Sequence, residues 1–147
     1  MKIHPKSQWH LSEIEQFIQL QHIPIRLACI DHDDFPLVCS LWFYYSDGCF
    51  WSASHKNSHI IKVLSKNSKV AFEIATNDYP YKGVRGKATI EISKDEQGVL
   101  PRLIDRYLGN SNEPLREWLL SRIDDEYAIK IAPTTINAWD FSTRMEA

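Results

Sequence analysis

The sequence predicts a mainly β fold, an antiparallel barrel with flanking helices, and three observations carry that expectation. Between Ile25 and Ile92, short runs rich in β-branched and aromatic residues alternate with turn residues, the pattern of an antiparallel β core. Ser46-Asp47-Gly48 lies between two of these runs as a hairpin signal, because glycine accepts the positive φ of a tight turn. The order of elements is several strands, a helical insertion, then closing strands. Such an order suits a barrel with helices at its ends better than a parallel α/β sheet.

Taken from the N-terminus, Ser12 is placed to cap a helix from Glu13 to Gln21, with Ile14, Phe17, Ile18 and Gln21 on one face. Pro24 closes it. Ile25–Asp31 reads as a strand and His32-Asp33-Asp34-Phe35 as its turn. Pro36–Tyr45 reads as one long strand, and Cys49–Ser54 as the strand returning from the hairpin. Ile60, Ile61 and Leu64 recur at helical spacing within Ser58–Ser65. Lys69–Ile74 is β-rich and ends at Asp78-Tyr79-Pro80. Val84–Ile92 is a strand whose second half alternates, Ala88, Ile90 and Ile92 facing one way and Lys87, Thr89 and Glu91 the other. Two amphipathic helices, Asp95–Leu108 and Glu113–Ser121, flank Gly109-Asn110-Ser111-Asn112. Tyr127–Ala132 and Ile136–Phe141 are closing strands on either side of Pro133.

A chain of 147 residues fits one domain, 1–147, with a real core. Its 12% aromatic content and five tryptophans argue against disorder, since such side chains carry large burial energies. A net charge of −2 gives no general attraction to nucleic acid or an anionic membrane. No apolar run approaches the roughly 18 residues of a membrane helix, and no apolar stretch follows Met1–Lys6 as in a secretory signal. Cys29, Cys39 and Cys49 match no zinc spacing, and an odd count argues against a disulfide framework. Reduced, buried thiols in a cytoplasmic protein are expected.

The stretch from His55 to Lys69 holds Lys56, Lys62, Lys66, Lys69 and two histidines without an acidic residue. Ser52, Ser54, Asn57 and Ser58 are interleaved with or precede them. This segment leaves a strand and enters a helix, where unpaired backbone N–H groups and the positive dipole end favour an anion. Hydroxyls and lysines there suit a phosphate monoester; the same charges also describe a solvated helix face.

Three stretches carry a family resemblance: Pro36-Leu-Val-Cys-Ser-Leu-Trp-Phe-Tyr, Asp47-Gly-Cys-Phe-Trp-Ser-Ala-Ser and Asn67-Ser-Lys-Val-Ala-Phe-Glu. With Val84-Arg-Gly-Lys-Ala and Ile131-Ala-Pro-Thr-Thr-Ile-Asn-Ala-Trp-Asp-Phe, in this order, they resemble the pyridoxamine-phosphate-oxidase-like, FMN-binding split-barrel family. The resemblance spans most of Ile23–Phe141. It implies an antiparallel split β-barrel and FMN as cofactor, with Ser40, Leu41 and Trp42 bordering the isoalloxazine ring. By the same resemblance Ser52 hydrogen-bonds the cofactor and Ser58 begins the phosphate-binding helix. The family's Arg-Lys pair after that serine is His59-Ile60 here, and its Pro before Arg-Val is Ser68. Lys56 and Lys62 are placed to replace the lost charge, with Ser54 and His59 donating hydrogen bonds.

In that family two protomers build the cofactor cleft together, so a homodimer is implied. Lys82 and Arg85 are then candidates to reach the phosphate or ring across the interface, or else are exposed charges at a strand end. Trp139 would pack on the flavin or in the core, and core packing is the commoner fate of tryptophan. The implied activity is that of a flavin-dependent oxidoreductase of unknown substrate. The alternative is a non-catalytic module that stores or senses a flavin, a deazaflavin or haem. Pyridoxamine-phosphate oxidase activity itself is not expected, because Trp139–Ala147 has no counterpart of that enzyme's C-terminal substrate segment.

Other chemistry has less support. His55 and His59 have the four-residue spacing of zinc ligands on a helix, but no third ligand or accompanying Glu stands near them, so no metal site is expected. Asp124-Asp125-Glu126 reads as a solvated acidic loop. No Gly-rich phosphate loop, Gly-x-Ser-x-Gly or Cys-His nucleophile pattern is present, which suits a protein whose cofactor performs the redox step.

Overall fold

The computed structural model describes residues 1–145; the last two residues of the expected 1–147 domain, 146–147, lie outside the described residues. Eight strands form one sheet: β1 (Lys2–Ile3), β2 (Ile25–Ile30), β3 (Pro36–Leu41), β4 (Tyr44–Ser46), β5 (Cys49–His55), β6 (Lys69–Ala75), β7 (Lys82–Lys94) and β8 (Glu126–Asp140). Five helices join them: α1 (Leu11–Leu20), α2 (His59–Lys66), α3 (Val99–Leu108), α4 (Glu113–Leu120) and α5 (Ser142–Met145). The strand order is β3-β2-β6-β7-β8-β5-β4, antiparallel throughout, with β1 parallel beside β8. The sheet curls but stays open, so the predicted barrel is a split one. Its β core also reaches beyond Ile92, because β8 lies between β7 and β5.

The expected hairpin at Asp47-Gly48 forms with φ of 53° and 76°, the two positive values of a primed two-residue turn between Ser46 and Cys49. The concave side holds the main core, where Ile14 and Ile18 of α1 meet Leu27, Phe50, Ile74 and Ile129, all fully buried. Each such side chain is worth roughly 1.5–3 kcal/mol on burial. A second, smaller cluster sits outside β4, β5 and β8. There Val99 and Leu103 of α3 pack with Ala128 over Trp42, Tyr44, Trp51, Ala53 and Tyr107.

Four expectations are corrected. The first helix starts at Leu11, not Glu13: His10 is its cap, and Glu13 accepts from the His10 N–H at 2.8 Å, leaving Ser12 inside the first turn. Pro36–Tyr45 is not one strand. The Phe43 N–H leaves the ladder for the Tyr107 hydroxyl at 3.2 Å and the Phe43 ring enters the core, so β3 pairs with β2 while β4 pairs with β5 at the opposite end of the sheet. The third helix begins at Val99, because the Asp95 carboxylate caps it by accepting from Val99 and Leu100 N–H, each at 2.7 Å.

The two closing strands are a single one, β8, running through Pro133. A bulge makes this possible: Lys87 faces Thr135 and Ala88 faces Pro133, so Thr134 has no partner across the ladder. Thr134 instead donates its hydroxyl to the Lys87 carbonyl at 3.1 Å.

Candidate functional site

The strand β5 delivers Ser54 to the start of α2. There its Oγ donates to the Ser58 Oγ at 2.8 Å, and Ser58 caps the helix by accepting from Ile61 N–H at 3.4 Å. The first-turn N–H groups of α2 have no partner within the helix, and its dipole adds positive potential. Of the cations expected beside this point, Lys62 makes no ion pair among the described residues. Lys56 is held at 2.6 Å by Asp125, and its N–H also reaches the Asp125 carbonyl at 2.7 Å. His59 meets the Asp31 carboxylate at 2.9 and 3.0 Å. Each carboxyl is shifted accordingly: hydrogen bonding from His59 lowers the Asp31 pKa, and that from Lys56 lowers Asp125. Ile60 stands where the resemblance has a lysine, and it is buried in the main core.

Beside the α2 end lies a cavity of about 370 Å³ bordered by Ser40, Leu41 and Trp42 from β3 and its exit, and by Ala53, Ser54 and His55 from β5. Leu100, Leu103, Leu115 and Leu119 of α3 and α4 supply an apolar wall. Glu126, only 4% exposed, closes one side with its carboxylate accepting from Arg122 Nε at 2.9 Å. One face of Trp42 is already taken, since Tyr107 stacks on it at 5.0 Å with the planes 3° apart. Burial raises the Tyr107 pKa, so this phenol stays a neutral hydrogen-bonding group.

A second hollow, about 490 Å³, lies on the convex face of the sheet. Ser40, Arg26, Glu73, Arg85 and Asn137 are direct partners across β3, β2, β6, β7 and β8, so they form one polar row. The next row is Val38, Ala28, Ala71, Lys87 and Thr135. All of these except Ser40 line the hollow, while Ser40 borders the first cavity, so the two adjoin at β3. Val38 is 63% exposed. The Asn137 Oδ1 and Trp139 Nε1 are buried without a hydrogen-bond partner among the described residues.

The predicted site is therefore divided. Ser40, Leu41, Trp42 and Ser54 share one cavity, with Ser58 bonded to Ser54. Arg85 lies on the convex face and Lys82 in a third hollow with Asp140; Trp139 pairs with Gly83. Ser52 faces the core with 0% exposure and an unpartnered hydroxyl, so it reaches no ligand as placed. Sequence reasoning missed Arg26, the cross-strand neighbour of Ser40, and the pairing of Glu126, expected in a solvated acidic loop, with Arg122. Only tertiary pairing reveals either. His55 and His59 do not share a helical face, because α2 begins at His59 and His55 still belongs to β5.

No family model and no curated protein matches this chain. Solved structures do. A conserved hypothetical protein from Mycobacterium tuberculosis superposes with a TM-score of 0.80 at 19% identity, covering 100% of this chain and 94% of that one. An F420 reductase gives 0.69 at 22% identity, over 83% and 94% of the two chains. A candidate pyridoxamine 5'-phosphate oxidase from Listeria innocua gives 0.66 at 17%, over 88% and 98%. An FAD-binding protein from Mesorhizobium loti and HutZ, the haem storage protein from Vibrio cholerae, match at 0.64 and 0.65 with 17% and 15% identity. Likeness at these identities is likeness of fold: the chain has the split-barrel fold of the pyridoxamine 5'-phosphate oxidase-like proteins.

Proposed function

We propose that this chain, one domain over 1–147, binds FMN and acts as a flavin-dependent oxidoreductase. The observation that carries the reading is the Ser54–Ser58 hydroxyl pair at the start of α2, beside a cavity bordered by Ser40, Leu41 and Trp42. A phosphate monoester finds there two hydroxyls and the open first turn of a helix, with Lys62 one turn further along it. The group fits these residues, while Lys56 and His59 contribute only if their carboxylates release them. Ser52 has no part in binding unless the core opens.

When bound, the flavin supplies the hydride chemistry. The protein's task is to orient it and to keep water from the reacting face. Leu100, Leu103, Leu115 and Leu119 suit the second of these roles, leaving space for an apolar acceptor near the Glu126–Arg122 pair. The names of the fold neighbours, an F420 reductase and an FAD-binding protein among them, support a flavin-type cofactor.

We further propose a homodimer packed through the convex sheet face, with Arg85, Lys87 and Arg26 brought to the partner's cofactor. The exposed Val38 and the orphaned Asn137 and Trp139 atoms favour this face. Three free cysteines agree with a reducing, cytoplasmic setting.

Purified protein reconstituted with FMN tests the reading. A yellow complex whose flavin is reduced anaerobically by NADH or NADPH supports the enzyme. A bound flavin that neither nucleotide reduces supports the second reading, a storage or sensing module, which the carboxylate-paired Lys56 and His59 favour. Protein that stays colourless sinks the FMN enzyme and the FMN-storing module alike, and leaves only a module for a deazaflavin or haem. Sedimentation of the Val38→Lys variant as a monomer, against a dimeric wild type, tests the interface.

A further inference from the structure

We propose that Asp31, His32 and His59 form a binding site for a divalent transition-metal ion of the zinc type. Asp31 and His32 open the turn between β2 and β3, while His59 is the first residue of α2, so three ligands, one carboxylate and two imidazoles, converge from two separate elements. Their donor atoms all lie within 4.8 Å of one another. The His59 Nε2 already stands 2.9 and 3.0 Å from the two Asp31 oxygens. The His32 ring meets the His59 ring edge to face at 5.6 Å between centroids.

Those distances are close to what an ion needs. Ligands about 2.0–2.1 Å from a tetrahedral zinc have donor atoms roughly 3.4 Å apart. The Asp31–His59 pair is inside that spacing, and His32, exposed in its turn, closes the remainder by a side-chain rotation. Two imidazoles with one carboxylate select zinc, nickel, cobalt or copper over magnesium or calcium, which prefer oxygen donors. The carboxylate and its turn are held in place: the His32 N–H donates to Asp31 Oδ1 at 2.6 Å, and the Asp31 backbone N–H donates to the Phe35 carbonyl at 2.9 Å. Such outer contacts fix the orientation of a ligating group. With three protein ligands at the surface, a fourth position stays open to water or an anion. An ion here would also bring positive charge to the residue following Ser58, but the site does not depend on the flavin reading.

Calorimetric titration of the untagged full chain with Zn²⁺, in flavin-free and chelator-free buffer, tests this. One ion should bind per chain. Asp31→Asn, His32→Ala and His59→Ala should each weaken binding by more than the roughly 10–100-fold that loss of an outer-shell partner costs. All three cysteines remain in these variants, so thiol binding would survive in them and is thereby separated. Circular dichroism confirms that each variant is folded, and His32→Ala, the least connected of the three, stands if Asp31→Asn disturbs the turn. No binding by the wild type, or unchanged affinity in His32→Ala or His59→Ala, overturns the site.

Discussion

Replacing Arg122 by methionine isolates the energetic role of the ion pair that borders the cavity. Glu126 is 4% exposed and its carboxylate accepts from Arg122 Nε at 2.9 Å, whereas the Arg122 side chain keeps 30% exposure and its guanidinium lies over Trp118 at 4.5 Å. Methionine keeps the apolar stem and removes the charge. Breaking a fully buried pair costs about 3–5 kcal/mol. Because water reaches Arg122, the expected loss here is nearer 2–3 kcal/mol. Most of it is the penalty of a carboxylate left buried without its cation. Adding Glu126→Gln should therefore return stability to within about 1 kcal/mol of the parent, recovering about 1–2 kcal/mol of the loss. Urea unfolding at pH 7 followed by far-UV circular dichroism, in all four members of the cycle, measures it. A double variant as unstable as Arg122→Met alone would refute the reasoning, since the loss would then come from packing on Trp118.

Three further outcomes follow from the same structure. Gly86→Ala should lower stability by about 2–3 kcal/mol and the Tm by roughly 6–12 °C, because a Cβ there would lie 2.0 Å from the Thr135 carbonyl, a backbone atom, and 2.9 Å from the Phe72 ring. An unchanged melting curve would count against the observed β7–β8 register. Burial pushes the Cys39 thiol up to about 11, so at pH 8 its thiolate is roughly a hundredfold scarcer than that of an ordinary cysteine. Native-state alkylation mapped by mass spectrometry should modify Cys39 roughly a hundredfold more slowly than in the unfolded chain, and equal rates would refute this. Asp31 and Asp125 have lowered folded-state pKa values, so their contribution is present above the ordinary carboxylate range and lost as pH falls through the lowered values. The urea midpoint of the wild type should fall below about pH 4, and the Asp31→Asn, Asp125→Asn double variant should show a shallower fall; equal slopes would show that neither pair matters.

What was legible in the sequence was what local chemistry fixes. Asp47-Gly48 can hardly be anything but a tight turn, Ser58 caps a helix by its own side chain, and Ala88 and Ile90 alternate inward as the pattern requires. The strand run through Trp42 and Phe43 was misread because its break is caused by Tyr107, 64 residues away. Pro133 looked like an end because the bulge that accommodates it belongs to its pairing with Lys87 and Ala88. The candidate site divides the same way. Ser54 and Ser58 could be placed from their segment alone, while the carboxylates that hold Lys56 and His59 come from distant loops. Periodicity within one segment is blind to such partners.

The central claim is that a flavin phosphate sits at Ser54 and Ser58. Its most direct test is an FMN fluorescence-quenching titration of wild type against Ser58→Asp. Aspartate is as good a helix cap as serine, so the substitution leaves α2 intact and places only a like charge beside the phosphate, which costs several kcal/mol. The account predicts saturable binding of one FMN per chain and, in the variant, affinity weakened by at least about a hundredfold. Equal affinity in the two proteins, or no binding by the wild type, would contradict it.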